Sequence, residues 1–184
     1  YKTVVFDLDG TLLNTLTDLA DAGNRLCRKY GWPTHERQAY RYFVGNGIPK
    51  LVERLAPADQ RTPAVLEAAL VDFKQDYGQH LRDTTAPYPG IPEMLAKLKA
   101  NGVQLAVFSN KADALAKEVV KDYFGTQYFT IVRGQMTGVA PKPAAEGTNA
   151  LLQALHADPA STLYVGDSNV DVETAHNASL PCCG

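Results

Sequence analysis

Apolar positions in this chain switch between two periods, and the switches mark its elements. Lys2–Leu8 carries the run Val4-Val5-Phe6 and reads as a short buried strand. Helical spacing follows over Thr15–Tyr30, with Leu16, Leu19, Gly23, Leu26 and Tyr30 recurring on one face. Asn14 is placed to cap that helix, and Gly31 with Pro33 ends it. From Thr34 to about Arg82 no strand pattern occurs. A short helix is expected from Thr34 to Val44, broken by Gly45-Asn46-Gly47. A second covers Ile48–Leu55 with Pro49 in its first turn. A third starts at Thr62-Pro63 and sets Leu66, Leu70, Phe73, Tyr77 and Leu81 on one face. Pro87-Tyr88-Pro89-Gly90 is a stiff exit followed by a turn.

Strands and helices then alternate. The pattern predicts a helix over Ile91–Asn101, a strand over Gln104–Phe108 and a helix over Ala112–Tyr123. A strand follows near Phe129–Val132, then a helix over Pro143–Leu155, a strand over Thr162–Val165 and a helix over Val170–Ala178. Such repetition predicts an α/β fold with a doubly wound parallel sheet. The all-helical block, residues 14–85, is expected as an inserted domain in a core made of residues 1–13 and 86–184. Ligands of such sheets bind beyond the carboxyl ends of the strands, so the polar residues there direct the search for chemistry.

The first strand ends in Asp7-Leu8-Asp9-Gly10-Thr11-Leu12. Along a strand, alternate side chains share a face, so Asp7 and Asp9 can point the same way about 7 Å apart at the backbone. Two partly buried carboxylates so close need a cation or a shared proton. Gly10 allows a sharp turn there. The second strand ends in Ser109-Asn110-Lys111, which sets a hydroxyl, an amide and an ammonium at a strand's carboxyl end. Ala140-Pro141-Lys142-Pro143 sets a lysine just before a helix, at the position of its N-cap. Lysine is disfavoured there, which suggests that it binds an anion. Tyr164-Val165-Gly166-Asp167-Ser168-Asn169-Val170-Asp171 leaves a strand and opens a helix. Ser168 and Asp171 have capping-box spacing, which leaves Asp167 unexplained.

Taken together and in this order, the four segments resemble the motifs of the haloacid dehalogenase-like phosphohydrolases, over essentially the whole chain. The helical block sits where many members insert a helical cap. Phe43-Val44-Gly45-Asn46-Gly47 and Pro87-Tyr88-Pro89-Gly90 are similar to segments of the phosphoglycolate phosphatases. The chain departs from the family at Ala145, where a proline is common, and at Asn14 and Thr15, where many relatives carry Asp and Ser. The resemblance implies a phosphatase for a small phosphorylated metabolite, phosphoglycolate being the best single candidate. It implies Asp7 as nucleophile forming an aspartyl-phosphate, and Asp9 as general acid and then base. It implies Ser109 and Lys142 on the phosphoryl oxygens, with Gly10, Thr11 and Asn110 beside them. Mg²⁺ would lie among Asp7, Asp167 and Asp171, with the Asp9 carbonyl, although Asp171 could instead orient Lys142. Selection among substrates is expected from Gly45, Asn46, Gly47, Lys50 and Arg54, the last two being four apart on one helix face. A sugar phosphomutase of the same fold and a non-enzymatic phospho-acceptor domain are the alternatives.

Composition narrows this further. The 184 residues are 45% hydrophobic with a formal charge of −2, and no basic stripe favours nucleic acid. No apolar run is long enough to cross a membrane. The chain opens on a strand, which predicts no signal peptide. Three cysteines, Cys27, Cys182 and Cys183, give no disulfide framework and point to the cytoplasm, with Cys27 expected in the core.

Overall fold

Val4, Val5 and Phe6 are almost wholly removed from water, and the strand they form is the axis of the sheet. In the computed structural model, which describes residues 1–184, the chain runs β1 (Thr3–Phe6), β2 (Leu13–Asn14), α1 (Leu16–Tyr30), α2 (Tyr40–Phe43), α3 (Ile48–Leu55) and α4 (Pro63–His80). It continues through β3 (Ala86–Pro87), α5 (Ile91–Ala100), β4 (Gln104–Ala112), α6 (Asp113–Phe124), β5 (Phe129–Gln135) and α7 (Ala145–Leu155). It ends with β6 (Thr162–Val165), α8 (Asn169–Asn177) and β7 (Cys182–Cys183). Two compact units result: Tyr1–Leu13 with Pro87–Gly184, and Asn14–Ala86.

The first unit is a parallel sheet in the order β5-β4-β1-β6-β7, flanked by helices. A strand covered on both faces needs apolar residues throughout, as β1 has. On one face Val5, Ala106, Phe108 and Tyr164 pack with Leu151, Leu152 and Leu155 of α7 and Ala175 of α8. Each buried Val, Leu or Phe among them contributes about 1.5–3 kcal/mol. Alternation along β1 sends Val4 and Phe6 to the other face.

The departures from the periodicity have local causes. Strand β1 stops at Phe6, so Asp7 and Asp9 lie beyond the pleat that would have aligned them. Strand β4 runs on to Ala112 through a register shift between Phe108 and Ala112, so Ser109, Asn110 and Lys111 are buried strand residues rather than a turn. Asn14 does not cap α1; it belongs to β2, which pairs with β3, and Thr15 takes the cap position. Thr34 starts no helix, and that stretch holds one turn of 3₁₀ helix at Arg37–Ala39 before α2. Helix α7 begins at Ala145, so Lys142 is not its cap.

The second unit packs α1 against α4 and α3 around Leu26, Cys27, Tyr40, Leu55, Phe73 and Tyr77, all buried. Arg25 donates to both oxygens of Asp76, and Tyr30 donates to Asp72. Asp18 is buried and closes the unit on itself. It accepts from the backbone N–H groups of Thr84 and Thr85, at 2.9 Å each, and from both threonine hydroxyls. Burial pushes the Asp18 carboxyl up, and these four donors outweigh it and hold the group below its usual value. No helix is long and apolar enough to cross a membrane.

A depressed carboxyl lends stability that is present above its unfolded value and lost as pH falls through the folded one. Asp18→Asn turns an amide N–H₂ toward donors and is expected to cost about 3 kcal/mol near neutral pH. The gap from the unsubstituted protein should narrow as pH falls below about 4. Urea unfolding at several pH values checks both, and a gap independent of pH would contradict the assignment.

Candidate active site

Parallel register sets the carboxyl ends of three strands side by side. Phe6 of β1 lies opposite Val107 of β4 and Val165 of β6. The Asp7 N–H extends the ladder by one bond, to the Val165 carbonyl at 2.9 Å. Asp7, the Ser109–Lys111 bulge and Gly166-Asp167 therefore meet at one end of the sheet. Added Cβ atoms would collide with Asp167 at Gly10 and with Asp171 at Gly166, so these glycines admit the two aspartates. Gly10 also has φ +90°, a conformation that side chains disfavour. Thr11 fixes the outer aspartate by donating to Asp167 Oδ1 at 2.9 Å.

Lys142 is the hub. Its Nζ donates to Asp171 Oδ1 at 2.7 Å, Tyr164 Oη at 3.1 Å and the Phe108 carbonyl at 3.3 Å. It also lies 2.9 Å from Asp7 Oδ1, at ion-pair distance but without hydrogen-bond alignment, so that oxygen has no aligned donor. Burial pulls the ammonium down, and Asp7, Tyr164 and Asp171 outweigh it and hold the group well above its usual value. Burial likewise pushes the Asp7 carboxyl up to about 7, with Lys142 opposing and Asp171 assisting. Asn110 holds the lysine by its backbone: its Oδ1 accepts from the Lys142 N–H at 2.8 Å and its Nδ2 donates to the Lys142 carbonyl at 3.2 Å. Asp171 spends its second oxygen on the Ser168 N–H and hydroxyl, at 3.1 and 2.6 Å.

Asp9 is held separately. Lys111 Nζ donates to its two oxygens at 2.9 and 3.1 Å, and the lysine side chain is 3% exposed. Thus Asp7 and Asp9 each face their own lysine. Ser109 is buried in the same bulge and accepts from the Lys111 N–H at 3.2 Å.

One carboxylate oxygen each from Asp7, Asp167 and Asp171 lie within 4.8 Å of one another. Three carboxylates face a single ammonium there, since Lys111 is matched by Asp9. The unaligned Asp7 oxygen and the all-oxygen donor set fit a hard divalent cation. Asp171 is the most committed of the three, because both its oxygens already accept hydrogen bonds.

The remaining expected residues lie in the helical unit. Gly47 precedes α3 and Gly45 lies two residues earlier, both with positive φ. Arg54 donates to the Phe43 carbonyl and to Asn46 Oδ1, each at 2.8 Å, so it braces this loop rather than standing free. Lys50 pairs with Glu53 at 2.7 Å. Lys111 and Tyr164 are contacts that sequence reading missed. The one signal for Lys111 was its place directly after Ser109-Asn110 at a strand end.

Lys142→Met would leave Asp7 and Asp171 buried without their cation. The expected loss is about 3–5 kcal/mol in urea unfolding. Added divalent cation should recover more stability in this variant than in the unsubstituted protein, and a loss under about 1 kcal/mol would contradict the hub role.

The profile of the haloacid dehalogenase-like hydrolases matches residues 4–184. The phosphoglycolate phosphatase of Neisseria meningitidis serogroup A is 34% identical, the alignment covering 100% of this chain and 79% of that protein. That of Thiobacillus denitrificans is 31% identical, covering 98% of this chain and 81% of that protein. A solved structure from Lactobacillus delbrueckii subsp. bulgaricus, provisionally assigned as a phosphoglycolate phosphatase, superposes with a TM-score of 0.92 at 28% identity, covering 99% of this chain and 84% of that one. CbbY from Rhodobacter sphaeroides, in complex with phosphate, shares the fold with a TM-score of 0.80 at 22% identity, covering 98% and 84%.

Proposed function

The chain belongs to the haloacid dehalogenase-like hydrolases and is a phosphoric monoester hydrolase, and from that premise we propose that it hydrolyses phosphoglycolate with Mg²⁺ through a phosphoaspartate on Asp7. The observation that carries this reading is the position of Asp7. It is a buried carboxylate at the end of the central strand, beside Lys142, with one oxygen lacking an aligned donor.

In the proposed reaction an Asp7 oxygen attacks phosphorus while the bond from phosphorus to the ester oxygen breaks. Asp9, protonated as substrate binds, gives that proton to the departing oxygen, then takes one from the water that attacks the phosphoaspartate. Phosphate leaves and Asp7 is regenerated. Lys142 and the Ser109 hydroxyl hold phosphoryl oxygens against the charge that builds on them, with Thr11, Asn110 and the Gly10 turn shaping that end of the site. Asp171 acts mainly on Lys142, fixing the ammonium from the far side. Asp7, Asp167 and the Asp9 carbonyl, with Asp171 the fourth candidate, would hold Mg²⁺, which neutralises the repulsion between an anionic nucleophile and an anionic phosphate.

The phosphoglycolate phosphatase names of the relatives support the choice of substrate. The helical unit enters the proposal as a selectivity element. Gly45, Asn46 and Gly47 offer backbone groups, Arg54 braces that segment, and Lys50 pairs with Glu53 on α3.

Two measurements check this reading. Phosphate release from phosphoglycolate should need added Mg²⁺ and vanish on exhaustive chelation; full activity after chelation would remove the metal. Acid quenching with labelled substrate should trap label on the unsubstituted protein and none on Asp7→Asn. Label at undiminished level on Asp7→Asn would overturn the nucleophile assignment.

A further inference from the structure

The mechanism gives Asp9 a task and leaves Lys111 without one. This lysine is nonetheless costly: a 3% exposed ammonium survives only where anions meet it. Its position comes from the β4 bulge. After Phe108 the strand shifts register before Ala112 pairs with Gln135, and the consecutive residues Asn110 and Lys111 turn to separate duties. Asn110 clamps the backbone of Lys142, which serves the phosphoryl side. Lys111 touches both oxygens of Asp9 instead, at 2.9 and 3.1 Å.

Asp9 is the group that meets the departing oxygen in the reaction read above, and the inference rests on that reading. An ammonium in contact with both Asp9 oxygens therefore stands on the leaving-group side of phosphorus. The Asp9 side chain is 15% exposed, so this place is open to a ligand while Lys111 stays shielded. A carboxylate borne on the first carbon after the ester oxygen would come within reach of that ammonium. One placed several carbons further along would not. The lysine is already stripped of most of its water, so a second anion gains more there than at an exposed cation. A neutral hydroxyl in the same place gains no such attraction.

We propose that Lys111 is a specificity residue that reads an anionic group next to the ester oxygen, which selects O-phosphorylated 2-hydroxy acids over neutral phosphate esters of the same size. The selection is then written into the sheet core, in the same bulge that positions Lys142. Arg54, which braces its own loop, is not needed for it.

The test compares phosphoglycolate with 2-hydroxyethyl phosphate, its neutral counterpart of equal length. The unsubstituted protein should prefer the acid in kcat/KM. Lys111→Met should lower the acid-to-neutral ratio by about tenfold or more, mainly through KM, and Lys111→Arg should keep most of it. A ratio unchanged in Lys111→Met, or falling equally in both variants, would overturn the proposal. Should Lys111→Met not fold, product inhibition of the unsubstituted protein decides. Glycolate should compete with substrate at concentrations where ethylene glycol does not, and equal inhibition by the two would overturn it. Release from both esters with no preference would sink Lys111 alone, leaving the phosphatase reading in place. Release from neither would remove both.

Discussion

The ammonium of Lys142 is the contact on which the site depends. It stands between Asp7 and Asp171, and all three are buried. Taken singly, none of these charges could stay ionised at that depth. Held together, the lysine stays protonated and Asp171 has both oxygens matched, while Asp7 keeps an oxygen without an aligned donor. In the proposed reaction that imbalance leaves Asp7 able to act as the nucleophile. A perfectly matched Asp7 would be a structural ion pair and a poor reactant.

The sheet makes this arrangement possible. Parallel strands bring three carboxyl ends to one edge, and each leads into part of the site. Strand β1 leads into Asp7 and Asp9, the extension of β4 supplies a hydroxyl, an amide and a lysine, and β6 leads into Gly166-Asp167. The helical unit is closed on itself by buried Asp18, whose four hydrogen bonds join the start of α1 to Thr84 and Thr85. Its sequence signal was absent because an aspartate inside the first turn of a helix looks like an ordinary dipole partner.

What the chain disclosed in advance follows from what periodicity can carry. Helices α3 and α8 and strand β6 were readable almost to the residue, because Pro49 and the Ser168–Asp171 box act locally. The acids of the site were readable for the same reason, each lying at the end of an apolar run. The lysines were not placed correctly. Lys142 looked like a poor helix cap, yet helix α7 starts three residues later and the lysine is drawn into the acid cluster. Lys111 was expected just past a strand ending at Phe108, yet the register shift keeps it inside the sheet. Both outcomes depend on partners more than twenty residues away, which no local pattern encodes. Arg54 donates to the Phe43 carbonyl and Asn46 Oδ1, again contacts that spacing along one helix does not specify.

The central claim is that two lysines divide the acids into separate groups: Asp9 with Lys111, and Asp7, Asp167 and Asp171 with Lys142 and a cation. Calorimetric titration of Mg²⁺ into the unsubstituted protein, Asp167→Asn and Asp9→Asn tests it most directly. The account predicts one site, weakened about tenfold or more by Asp167→Asn, since that carboxylate belongs to the cation's group. It predicts little change for Asp9→Asn, whose carboxylate answers to Lys111. Equal weakening in the two variants would contradict the division and with it the account of the site.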